Sequence, residues 1–112
     1  PLGELVATAH LEEWLDISGY PESSYMSRPE VVRDLYEAAQ RSVFSPEFVR
    51  RRDWTLGFNA FAMAFALAGE YAAARPLFRA LGKKRATEMS WRYLDGRSPL
   101  VPYLECRNRV NR

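Results

Sequence analysis

Apolar residues recur every three or four positions along most of this chain, a spacing that gathers them on one face of an α-helix. Ala7, Leu11, Trp14 and Leu15 predict a first helix from about Glu4 to Asp16. Ser18-Gly19-Tyr20-Pro21 then stops it, because glycine permits a left-handed turn and proline cannot continue a helix. Ser27-Arg28-Pro29-Glu30 has the form of a capping box with proline in the first turn. Behind it, Val32, Leu35, Ala39 and Val43 carry the stripe of a second helix ending near Phe44, with Glu37 and Arg41 one turn apart on its wet face. Ser45-Pro46-Glu47 repeats the cap-and-proline signal for a short helical turn through Arg51.

The next segment, Trp54 to Ala68, is apolar nearly all round. Phe61, Met63, Phe65 and Leu67 alternate with alanines, which also fits a strand, but alanine is the best helix former and is depleted in sheets. A helix apolar on every side belongs in the middle of the molecule. Gly69 ends it, and Tyr71, Ala74, Phe78 and Leu81 mark another helix from Glu70 to about Leu81, with Pro76 expected to kink it or delay its start. Gly82-Lys83-Lys84-Arg85 closes that helix with cations at its C-terminal carbonyls. Thr87 to Leu94 reads as a short helix, Asp95-Gly96 as a turn, and Ser98-Pro99 as the cap of a last helix to about Val110. The expectation is an all-α fold of five to six helices, packed as antiparallel hairpins around a central apolar helix 54–68.

Within this pattern, Ala62, Phe65, Gly69-Glu70-Tyr71, Ala74, Phe78 and Leu81 stand at the spacing of a tetratricopeptide repeat, which the segment resembles. The repeat places small residues where two helices cross and aromatics beside them, joined by a glycine-acid-aromatic turn. Phe58 stands where the family often has a large aromatic; the closing proline is missing, and Ala86 lies near its place. The chain is also similar to the C-terminal part of uncharacterised bacterial proteins with tetratricopeptide-like helices, in phrases such as Asn59-Ala60-Phe61-Ala62-Met63-Ala64-Phe65 and Trp91-x-Tyr93-Leu94. The resemblance implies a helical hairpin whose first helix lines a concave groove. By that analogy Leu56, Asn59, Met63 and Ala66 face a bound protein or peptide.

At 112 residues the chain is long enough for one core and too short for two. Pro1-Leu2-Gly3 has the form left by a cleaved expression tag, so residues 4–112 are expected to be a single domain cut from a longer protein. No run reaches the roughly 18 apolar residues of a membrane-spanning helix. Cys106 is the one cysteine and cannot form an internal disulfide, which fits the reducing cytoplasm.

Charge changes the picture more than composition does. Residues 1–48 hold nine acidic and three basic side chains, a net of −6, whereas residues 49–112 hold thirteen basic and five acidic, a net of +8. Such asymmetry can guide head-to-tail association or make the second half attractive to anions. Fourteen of the sixteen basic residues are arginines, a bias that with abundant alanine marks a GC-rich bacterial genome. Arg50, Arg51 and Arg52 form one cationic run that a partner protein could contact, and Lys83, Lys84 and Arg85 another that could hold an anion.

Catalytic and cofactor motifs are missing from the sequence. Gly82-Lys83-Lys84 lacks the upstream glycine and the hydroxyl of a phosphate-binding loop, and one cysteine with one histidine cannot close a zinc shell. His10 and Glu13 share a helix face, but a solvated or core-edge histidine is the simpler reading. No catalytic residue, metal or cofactor is therefore assigned. The leading expectation is a protein- or peptide-binding or assembly module of a bacterial cytoplasmic protein. The alternatives are a helical domain binding nucleic acid through its basic half, and a capping domain of an enzyme whose active site lies elsewhere.

Overall fold

The computed structural model describes residues 2–16, 25–46, 54–82 and 100–111, and these are helical or in turns, with no strand among them. Among these residues five α-helices follow in order: α1 (Leu2–Asp16), α2 (Pro29–Gln40), α3 (Trp54–Leu67), α4 (Tyr71–Leu81) and α5 (Leu100–Val110). A short 3-10 turn, Tyr25–Ser27, precedes α2. The expected helical segments over residues 47–51 and 87–94, and the Ser98-Pro99 cap, lie outside the described residues.

α3 is the centre of the fold. It carries no charged residue and is buried from Gly57 through Ala66. Helices α1, α2, α4 and α5 all pack on it, α4 most extensively. α1 also packs on α2 and α4 on α5, while the Cα atoms of α1 and α2 stay more than 8 Å from those of α4 and α5. Among the described residues α3 is thus the helix that packs against all four others. Phe65 is the hub, its ring 5.0 Å from that of Tyr36, and 6.0 Å from those of both Phe44 and Phe61. Tyr36 lies on α2 and Phe44 just beyond it, so α2 and its exit meet α3 through aromatic side chains with preferred tilted and stacked geometries.

The helix ends show how local sequence was read by the folded chain. The N-cap of α2 is Arg28, one residue after Ser27, and its own side chain makes no capping hydrogen bond. Pro29 takes the first helical position, where its missing N–H is not needed. α2 stops at Gln40, four residues before Phe44, because the Phe44 N–H turns back to the Ala39 carbonyl at 2.8 Å and Ser42 Oγ donates to the Ala38 carbonyl at 2.7 Å.

Between α3 and α4, Gly69 adopts φ +79°, a left-handed conformation that ends α3, and three residues separate the two helices. Pro76 lies inside α4, which runs on through it. The carbonyl of Ala72 loses its helical N–H there, and both Ala72 and Pro76 are exposed, so the gap faces water. The C-terminus of α5 is tied to α4 by Arg75, whose Nε donates to the Val110 carbonyl at 2.8 Å.

Candidate functional site

Two places on the molecule carry features beyond core packing. The first is the outward end of α3. Of the groove residues implied by the tetratricopeptide resemblance, only Leu56 reaches solvent, at 36% exposure, while Asn59 and Met63 are at 0% and Ala66 at 2%. The physical reason is that α3 is enclosed by helices on both flanks, so the face that would line a groove is spent on the core. The buried Asn59 amide turns back along its own helix and donates from Nδ2 to the Thr55 carbonyl at 2.8 Å. Trp54, half-buried in the first turn of α3, meets the Phe58 ring edge-on at 5.0 Å. Arg50, Arg51, Arg52, Lys83, Lys84 and Arg85 all lie outside the described residues.

The second place is a polar cluster joining α1, the 3-10 turn and α2. His10 Nδ1 is 2.7 Å from the Tyr25 hydroxyl, and His10 Nε2 is 3.2 Å from Asp34 Oδ2. An ionised carboxylate can only accept, so the neutral imidazole carries its proton on Nε2 and donates it to Asp34. Nδ1 is then the acceptor, and the Tyr25 O–H donates to it. The tautomer is thereby assigned from the pattern of partners. Arg28 sits over the Tyr25 ring, 5.1 Å from its centre. Burial pushes the Tyr25 phenol above its ordinary range; Glu13, Asp34 and Glu30 push the same way and Arg28 opposes them. Tyr25 therefore stays a phenol near neutrality and serves as a hydrogen-bond donor, a poor nucleophile.

This cluster was not legible from the sequence. His10 is 15 residues from Tyr25 and 24 from Asp34, and no local spacing connects them. Sequence reasoning paired His10 with Glu13 because they share a turn of helix; Glu13 acts on the cluster only through its charge on Tyr25. Asp34 is about half exposed and His10 mostly covered, so the histidine sits at the edge of the core. Among the described residues no three of His, Cys, Asp or Glu come together as a metal site, and no helix is long and apolar enough to cross a membrane. Cys106 is buried in α5. Comparison with protein-family models, with curated proteins and with solved structures gives no significant match.

Proposed function

We propose that this chain is a protein- or peptide-binding module of the tetratricopeptide-like helical class, working within a larger bacterial cytoplasmic protein. The contact centres on the start of α3. The observation that carries this reading is the exposure of Leu56 on a helix whose next ten residues are all buried. Scattered apolar side chains on a surface are ordinary. Leu56 differs in its setting: it stands in the first turn of the most deeply buried helix among those described, four residues after Arg52 in the sequence. An apolar anchor close in sequence to a run of cations, at the positive end of a helix dipole, suits an acidic peptide with an apolar residue at its centre. The α3–α4 pair about Gly69 supports the likeness to a tetratricopeptide hairpin.

Selection from a displayed random peptide library tests the reading. An acidic consensus with one large apolar residue is expected for the wild type. It should be lost with Leu56→Glu and with the triple change Arg50→Glu, Arg51→Glu and Arg52→Glu, and kept with Gln40→Glu on the exposed face of α2. Failure of any consensus to emerge, or a consensus indifferent to Leu56→Glu in a folded variant, refutes it.

A further inference from the structure

The charge asymmetry seen along the sequence becomes a separation in space. α1 contains Glu4, Glu12, Glu13 and Asp16 with no lysine or arginine, a net of −4, whereas α2 with its caps Arg28 and Arg41 sets Glu30, Asp34 and Glu37 against three arginines and is neutral. α3 is uncharged. On its other side α4 holds Arg75 and Arg79, a net of +2, and α5 sets Arg107 and Arg109 against Glu105 for +1. The Cα atoms of α1 and α2 stay more than 8 Å from those of α4 and α5, and among the described residues no ion pair joins the two groups of helices.

Distance through the molecule does not help them either. Packed helices lie about 8–10 Å apart, so two layers separated by a third sit about 16–20 Å apart, beyond the ~8 Å screening length at physiological salt. The side chains concerned are available. Glu12, Glu13 and Glu37 are exposed and form no ion pair among the described residues. The same holds for Arg79 and Arg109.

From this geometry we infer a head-to-tail interface between copies of this chain, the α1 surface around Glu12 and Glu13 of one copy seated on the α4–α5 surface around Arg79 and Arg109 of the next. A second copy is the occupant whose charge both surfaces fit at once. The acidic patch lies on α1 and the basic one on α4 and α5, helices whose backbones do not approach each other, so one copy offers its two patches to two different neighbours; the contact is heterologous and leaves one acidic and one basic end free to extend. Contacts of this kind between exposed charges are individually weak and salt-sensitive, so the assembly forms at high protein concentration and dissolves in salt. The interface uses other residues than the Leu56 site and stands independently of it.

Sedimentation velocity on the whole chain tests the inference. At about 0.01 M salt, with a screening length of about 30 Å, the wild type should exceed the 12.9 kDa monomer and keep growing with concentration. At about 1 M salt, where that length is about 3 Å, it should sediment as monomer. Glu12→Lys with Glu13→Lys, and separately Arg79→Glu with Arg109→Glu, should each remain monomeric at low salt. An equimolar mixture of the two variants should regain self-association, since the acidic α1 surface of one fits the basic α4–α5 surface of the other and the two reversed surfaces fit each other as well. A monomeric wild type at low salt overturns the inference, including the case in which it instead binds added polyglutamate through α4–α5. Undiminished self-association of either variant, or a mixture that stays monomeric, overturns it as well.

Discussion

The Tyr36 hydroxyl donates to Glu70 Oε1 at 2.6 Å, joining the middle of α2 to the turn between α3 and α4. It is a bond across 34 residues of sequence, and it fixes where the acid of the glycine-acid-aromatic turn points. Burial and this hydrogen bond raise the Tyr36 phenol from 10.0 to about 12. The folded state therefore holds the Tyr36 proton more tightly than the unfolded chain does. Its contribution to stability is complete below pH 10 and is lost as pH climbs towards 12. Urea midpoints measured across that window should fall with rising pH, and Tyr36→Phe should flatten part of the fall. At neutral pH the same variant should lose about 1.5–3 kcal/mol, the worth of one hydrogen bond to a charged acceptor.

Gly69→Ala tests the turn. A Cβ there meets nothing within 4 Å, so the only cost is the backbone conformation at φ +79°. A left-handed alanine costs about 1–2 kcal/mol, and chemical denaturation should show a drop of that size with the helical circular dichroism of the folded state unchanged. A neutral outcome would mean the turn relaxes into another conformation.

Phe65→Ala should be far more damaging. The side chain is at 0% exposure and touches three aromatic rings from α2, its exit and α3 itself. Truncating a buried phenylalanine costs about 3–5 kcal/mol, against a total stability of about 5–15 kcal/mol for a domain. The thermal transition should broaden and move down by many degrees, and Phe65→Leu should recover much of it.

Met63→Glu and Leu56→Glu should part company. Met63 is fully enclosed, and an unpaired carboxylate there costs several kcal/mol, so this variant is expected to unfold, seen as loss of cooperative melting. Leu56 is already wet, and its change to Glu should leave the melting temperature nearly unmoved. Loss of peptide binding in Met63→Glu therefore says nothing about a groove, whereas loss in Leu56→Glu does.

His10→Ala removes one side chain that serves two partners. Tyr25 and Asp34 lose their shared link between α1 and α2, and a cost of about 1–3 kcal/mol is expected from the two broken bonds. His10→Gln, which can still donate and accept, should recover part of it. Equal losses in both variants would show that ring packing against Tyr25, and not hydrogen bonding, holds the cluster.

The helices themselves were written in the sequence. Ala7, Leu11 and Trp14 on α1, Leu35 and Ala39 on α2, and Ala74, Phe78 and Leu81 on α4 are all buried as their three-to-four spacing implied, and Gly69 ends α3 where a left-handed residue was needed. The all-apolar α3 could be placed at the centre for the same reason: a helix without a wet face must be covered on every side. These are local signals, carried by residues within a turn or two of one another. What only tertiary structure decided depends on the order in which helices pack. Whether Asn59 and Met63 line a groove or lie in the core is set by which helices enclose α3. That His10 meets Tyr25 and Asp34, and that the acidic α1 stands apart from the arginines of α4 and α5, follows from α1 pairing with α2 and α4 with α5. Periodicity tells each helix which face to bury; it does not tell it against whom, because that choice is made by the shapes of surfaces far apart in sequence.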